Sequence, residues 1–165
     1  MEVNWADWQP KERATLLFIV KDGKILLIRK KRGLGAGKIN GPGGRLEPGE
    51  MPVEAAVRET QEELGIDALF PVLRGELSFQ FVDGYSLFCS VFLAPDYRGE
   101  PIETEEAIPL WTALDAIPYD EMWADDQHWL PGVLAGRQFR GYFTFDGDAM
   151  LWHQIDWVED LSTKA

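Results

Sequence analysis

Three glutamates, Glu59, Glu62 and Glu63, crowd the run RETQEEL. On a helix they share one face, because residues three and four apart are neighbours there. Carboxylates held this close repel one another, and a plain solvated surface gains little from them. A divalent cation turns that repulsion into coordination, since hard cations are held by oxygen ligands. The charged outer face of an ordinary amphipathic helix is the competing reading, and the triplet alone leaves the two even. Arg58 can pair with Glu62 one turn on and orient it, although exposed helices make the same pair. What a bound cation would bring to such a platform is an activated water and charge set against a developing anion.

The elements around the triplet are legible in the pattern. Pro52 suits the first helical position and Gly65 the stop, while Met51 is a poor cap that leaves the start to packing or to Glu50. Val53, Ala56, Val57, Thr60 and Leu64 form the expected inward stripe. Upstream, KKRGLGAGKINGPGG is glycine-rich. It is not a P-loop, because the first glycine of that motif falls on Arg32 and Ile39 follows Lys38 where a Ser or Thr is needed. These glycines let backbone approach a ligand closely. Residues 15–20 and 24–30 read as strands joined at Asp22-Gly23, and 76–82 and 85–94 as strands around Asp83-Gly84. Residues 97–106 read as an acidic loop and 107–112 as a strand. A second helix is expected within 125–134, where Pro131 threatens to split it. A third hairpin, 140–145 with 150–157, is expected to turn at Asp146-Gly147. Strands on both sides of two helices predict an α/β fold, a mixed sheet between helices in an α/β/α sandwich.

Composition narrows the class. The chain has 165 residues, 45% hydrophobic and 12% aromatic, which suits one domain with a substantial core rather than a disordered segment. Its formal net charge of −12 argues against a nucleic-acid polymer or an anionic membrane as partner. A polyphosphate remains compatible if cations stand between the charges. The single cysteine, Cys89, excludes an intrachain disulfide and suits a reducing compartment. The start, MEVNWADWQPKER, lacks the regions of a signal peptide, so a cytoplasmic monomer is expected. Residues 1–12 read as a leader, 13–158 as a single domain and 159–165 as a fraying tail.

Gly44, Glu50, Arg58-Glu59, Glu62-Glu63, Gly65 and the aliphatic Ile66 stand at the spacing of the Nudix box, which this stretch resembles. Thr60 departs from it where the family usually has an aliphatic residue, on the packed side of the helix. The resemblance implies a Nudix α/β/α sandwich and metal-dependent hydrolysis of a nucleoside diphosphate linked to another group. It implies Mg2+, with Mn2+ as an alternative, held by Glu59, Glu62, Glu63 and a backbone carbonyl near Gly43. A further carboxylate from a later loop falls on Glu106, with Glu105 as its neighbour. The general base is Glu59 or Glu106, which the sequence does not separate.

The resemblance extends through KKRGLGAGKINGPGGRLEPGE, SFQFVDG, EMWADDQHWLPGVL and RGYFTFDG to the MutT-like purine nucleoside triphosphate diphosphatases that remove oxidised nucleotides such as 8-oxo-dGTP. It implies a small-molecule nucleotide cleaved to monophosphate and pyrophosphate. By that resemblance Trp123 stacks on the purine, and Asn40, Asp125 and Asp126 read its edge, one aspartate protonated. Thr15, Lys30, Phe79 and Leu87 fall at other pocket positions, with the backbone of Pro42, Gly43 and Gly44 close to the ligand. Lys30, Lys38 and Arg45 can assist the phosphates. Without the resemblance, Trp123 reads as core, Asn40-Gly41 as a turn and Asp125-Asp126 as a helix cap. The chain departs from the best-known animal members at Leu34, Ile39 and Pro42, where they have aromatics, and at Leu87, where they have methionine. Those departures leave plain dGTP, another purine triphosphate or an oxidised adenine nucleotide open as substrate, and the rival readings are a hydrolase of ADP-ribose or a nucleotide sugar and a catalytically silent nucleotide-binding domain.

Overall fold

A computed structural model describes residues 1–162. The uninterrupted apolar runs TLLFIV and ILLI behave as strands covered on both sides. They lie in β1 (Glu12–Lys21) and β2 (Lys24–Lys30), an antiparallel pair. Asp22 and Gly23 turn the hairpin at φ 54° and 75°, the left-handed pair that a two-residue loop requires. Side chains alternate between two cores. Phe18, Ile25 and Leu27 face one, and Leu17, Ile19, Leu26 and Ile28 the other.

β1 and β2 part after their first pairs, Val20 with Ile25 and Lys21 with Lys24. β4 (Gly43–Arg45) takes over the vacated edge of β1, and β3 (Ile39–Asn40) pairs with the far end of β2. The splay opens the sheet beside β4, whose Gly43 and Gly44 pair with Leu16 and Thr15. The remaining strands are β5 (Asp67–Leu69), β6 (Val72–Phe81), β7 (Ser86–Ala94), β8 (Asp96–Arg98), β9 (Ala107–Ala113), β10 (Gln138–Asp146) and β11 (Ala149–Val158). The main sheet runs β11-β10-β6-β7-β1-β2-β3, with β4 on β1 and β9 on β2. β1–β7 and β6–β10 are parallel within an otherwise antiparallel sheet. Helix α1 (Pro52–Leu64) sends Ala56 and Leu64 into one core, and α2 (Asp126–Leu134) sends Trp129, Leu130 and Val133 into the other. The result is the expected α/β/α sandwich.

Some local expectations are met and others need correction. Val53 is exposed on α1, and Ala55 takes its place in the packed stripe. Thr60 is buried with its hydroxyl donating to the Ala56 carbonyl at 2.8 Å, so the polar atom is satisfied inside the helix. The helix start rests on Glu54, whose carboxylate accepts the Met51 N–H at 2.9 Å. Gly65 stops the helix at φ 72°. Pro131 lies inside α2 without splitting it, because Trp129, Leu130 and Val133 are fully buried around it. The acidic loop contains β8, paired with β5. The third hairpin pairs Asp146 with Ala149, so Gly147 and Asp148 make its turn, one position later than expected.

Residues ahead of β1 lie against the sheet. Trp8 Nε1 donates to Gln80 at 2.9 Å, and the Trp5 ring sits 5.3 Å from Tyr142. The tail holds to β10 at least as far as Leu161, whose carbonyl accepts from Arg140 at 2.7 Å. Residues 163–165 lie outside the described part of the chain. Among the described residues no helix is long and apolar enough to cross a membrane.

Candidate active site

Helix α1 presents Glu59 and Glu63 towards the loop ahead of β9, which supplies Glu106. One carboxylate oxygen from each of the three lies within 4.8 Å of the others. Glu106 is the loop carboxylate in this trio, while Glu105 points to solvent. Thr104 fixes the relation between helix and loop: its hydroxyl donates to the Glu63 carbonyl at 2.7 Å and accepts the Glu106 N–H at 3.2 Å. Glu63 is 5% exposed, and its Oε2 accepts the Gly43 N–H at 3.2 Å. Glu62 stands outside the trio, 49% exposed at its side chain, with its oxygens 3.2 Å from Arg58.

Arg58 does more than pair with Glu62. Its Nε and Nη2 grip both oxygens of Glu50 at 2.7 and 2.9 Å, and Nη1 donates to Glu59 at 2.9 Å. Hydrogen bonds from Arg58, helped by the Glu47 N–H, hold Glu50 down at about 2. Glu59 goes the other way: burial raises it, opposed by Arg58 and reinforced by Glu62 and Glu106. Burial pushes Glu63 up to about 8, against the Gly43 N–H and with the help of Glu59. Glu59 and Glu63 resist ionisation, and with Glu106 beside them they form a donor set for a hard divalent cation, whose charge would reverse the penalty.

The glycines beside the trio have a steric reason. A Cβ on Gly43 would sit 1.9 Å from the Thr15 carbonyl oxygen, a backbone clash. At Gly44 it would sit 2.4 Å from the carboxylate carbon of Glu59 and 2.7 Å from both its oxygens. That carboxylate ends a flexible side chain, so Gly44→Ala can fold by pushing it aside. We expect Gly44→Ala to keep a near-parental melting temperature and to lose about 100-fold in kcat, since misplacement on the order of 1 Å has that effect. Parental kcat in the folded variant would remove Glu59 from the reaction.

The trio lies at one end of a cleft of about 1160 Å³. Thr15, Lys30, Asn40, Gly43, Gly44 and Arg45 line it, as do Phe79, Leu87, Trp123, Asp125 and Asp126. Pro42 is the exception among the expected residues. It is buried behind the wall, its carbonyl accepting the Leu17 N–H at 2.8 Å. Ile39 is likewise in the core, so two of the aromatic-to-aliphatic departures fall behind the lining rather than on it.

Asp125 and Asp126 are 1% and 2% exposed. Asp125 occupies the position before α2 in helical conformation and makes no side-chain cap. Its Oδ2 instead accepts from Trp129 Nε1 at 2.8 Å. Asp125 Oδ1 and Asp126 Oδ2 are buried without a protein partner among the described residues. Burial raises both carboxyls, and the Asp125 charge drives Asp126 well above the ordinary range. Two raised carboxyls side by side favour one proton held by the pair, which then offers both a donor and an acceptor. Asn40 Oδ1 accepts the Gly41 N–H at 2.8 Å, which fixes the amide orientation. Trp123 meets Phe81 and Phe145 edge-on at 81° and 84°.

Phe81, Phe145 and Cys89 also line the cleft and are absent from the set expected from sequence. Their signal is strand alternation: Phe143 and Phe145 in β10, like Phe79 and Phe81 in β6, recur every second residue on one face.

A family profile for the NUDIX domain matches residues 10–133. Over 151 residues the chain is 44% identical to an oxidized purine nucleoside triphosphate hydrolase of Danio rerio, covering 89% of this chain and 96% of the relative. A relative of the same description from Mus musculus is 40% identical, with 89% and 96% covered. Among solved structures, the MutT protein of Bacillus halodurans matches with a TM-score of 0.79 and 30% identity, covering 88% of this chain and 97% of the other. Proteins of this family typically depend on a divalent metal, as the carboxylate trio would lead one to expect. Box helix, mixed sheet and relatives all agree: the chain belongs to the Nudix family of hydrolases.

Proposed function

We propose that this Nudix hydrolase cleaves purine nucleoside triphosphates, oxidised ones such as 8-oxo-dGTP among them, to the monophosphate and pyrophosphate. The observation that carries the purine reading is the buried pair Asp125 and Asp126, each with an oxygen lacking a protein partner in the same cleft as the trio. Buried polar atoms without partners are costly, and a base edge supplies what these lack. The protonated carboxyl of the pair donates to an acceptor on the base, the other accepts from a donor, and the Asn40 amide adds a contact. Trp123 supplies the stacking face. The relatives from Danio rerio and Mus musculus, named for oxidized purine nucleoside triphosphates, support the same substrate class.

At the other end, Glu59, Glu63 and Glu106 would hold the metal, with the backbone at Gly43 close by and Glu62 on the adjoining surface. Magnesium, with manganese as a substitute, neutralises phosphate charge and makes water a better nucleophile when bound. The proton of the attacking water goes to Glu59 or Glu106. Lys30, whose charge favours ionised Glu63, and Arg45 face the phosphates. A cytoplasmic monomer acting on free nucleotides fits the net charge of −12 and the lone Cys89.

A nucleotide panel tests the substrate class. Purine triphosphates, plain and oxidised, are expected to exceed dCTP and ADP-ribose in kcat/KM by about 100-fold, the discrimination a hydrogen-bonding site reaches readily. Equal or faster turnover of dCTP would refute the base reading, and equal or faster turnover of ADP-ribose the triphosphate reading.

A further inference from the structure

Lys38 follows the glycine-rich loop and suits a phosphate contact by charge alone, but the fold carries it to the base end of the cleft. Its Nζ lies over the indole of Trp123, 5.3 Å from the ring centroid. The same Nζ is 3.4 Å from Asp148 Oδ2, in the turn between β10 and β11. All three residues line the cleft. The loop itself is pressed onto this indole, since a Cβ at Gly35 would stand 2.7 Å from Trp123 Nε1. Contacts from Phe81 and Phe145 restrain the ring further.

An ammonium over an indole face is attracted by the ring quadrupole, and the Asp148 carboxylate adds to its hold. A stacking purine needs an indole face too. We propose that Lys38 and Asp148 form a latch over Trp123, closed in the free protein and displaced when a purine base takes the place of the ammonium. The proposal rests on the reading of Trp123 as the stacking platform. Every base meets the same latch, so it weakens binding of all purines by one factor, the reciprocal of the open fraction. It leaves the chemical step alone, because the ammonium lies with Trp123 and Asp148 and not with the carboxylate trio. Lys38 is therefore an affinity-setting residue.

Lys38→Met keeps the aliphatic stem and removes the charge. KM for dGTP and 8-oxo-dGTP, and the dissociation constant of dGMP by calorimetry without added metal, are expected to fall about three- to tenfold, as a partly exposed cation–π contact plus an exposed ion pair allow. The kcat is expected to stay within about twofold on the same grounds. Asp148→Asn should lower KM by a smaller factor and add nothing in the double variant. A rise in KM for Lys38→Met would mean the lysine attracts nucleotide, and an unchanged KM that it does not cover the ring; either overturns the latch, as does an equal fall in kcat. Trp123→Leu, checked for a parental thermal transition, separates the two claims. If it raises KM about tenfold or more, the scale of a lost base–aromatic stack, stacking stands whatever Lys38→Met shows. If it leaves KM unaltered, stacking and latch fall together.

Discussion

A Glu63→Gln protein is expected to lose about 1000-fold in kcat and yet, free of metal, to melt at a higher temperature than its parent above pH 8. The loss follows from removing one of three clustered carboxylates while leaving an oxygen that still accepts the Gly43 N–H. The gain follows from burial. Glu63 titrates near 8 in the fold against an ordinary 4.5. Below 4.5 the carboxyl is neutral folded or unfolded, and its contribution to stability is intact. As pH rises towards 8 the unfolded chain ionises while the fold keeps the proton, so that contribution is progressively lost. Glutamine carries no such dependence. The gap between variant and parent should open from about pH 4.5 and level off above about 8. Saturating magnesium should reverse the order, because it binds only the parent's complete trio. A parent that outmelts the metal-free variant at high pH would show that the Glu63 charge is already compensated.

Arg58→Ala is expected to cost both stability and rate, in contrast. The guanidinium ties Glu50, Glu59 and Glu62 together, and its removal leaves Glu50 and Glu59, with side chains 12% and 14% exposed, without their counter-charge. A fall in melting temperature of about 3–8 °C is expected, with kcat down about 10- to 100-fold as Glu59 loses its restraint. Arg58→Lys should recover little of either, since an ammonium cannot grip both oxygens of Glu50 as the planar fork does. Full recovery by lysine would reduce Arg58 to a point charge. Unchanged kcat in Arg58→Ala would mean that Glu59 is positioned by Gly44 alone.

Local pattern and spacing reached the box helix, its Gly65 stop and the first hairpin, because each is written in adjacent residues: helical periodicity, an αL glycine, an Asp-Gly turn. What adjacent residues do not decide is set by tertiary contacts. Glu105 and Glu106 are neighbours with the same side chain, and the Thr104 bridge to the end of α1 decides which one faces the trio. Glu62 and Glu63 are equivalent in spacing, yet Glu63 is buried against Gly43 and Glu62 remains at the surface with Arg58. Pro131 reads as a breaker until the burial of Trp129, Leu130 and Val133 outweighs it. The turn beyond β10 shifted by one residue, which brought Asp148 unforeseen into the cleft. Pro42 and Ile39, adjacent to Asn40 and the glycines, were carried behind the wall by strand pairing. Lys38 has the charge for a phosphate contact, and only the path of the loop shows that it rests on Trp123.

The central claim is that one cleft joins a metal-holding carboxylate trio to a base-reading aspartate pair. Turnover of 8-oxo-dGTP, with and without magnesium and with products separated, tests it most directly. The expected result is magnesium-dependent release of 8-oxo-dGMP and pyrophosphate in equal amounts. Release of inorganic phosphate instead, or tight binding of 8-oxo-dGTP with no turnover in magnesium or manganese, would contradict it.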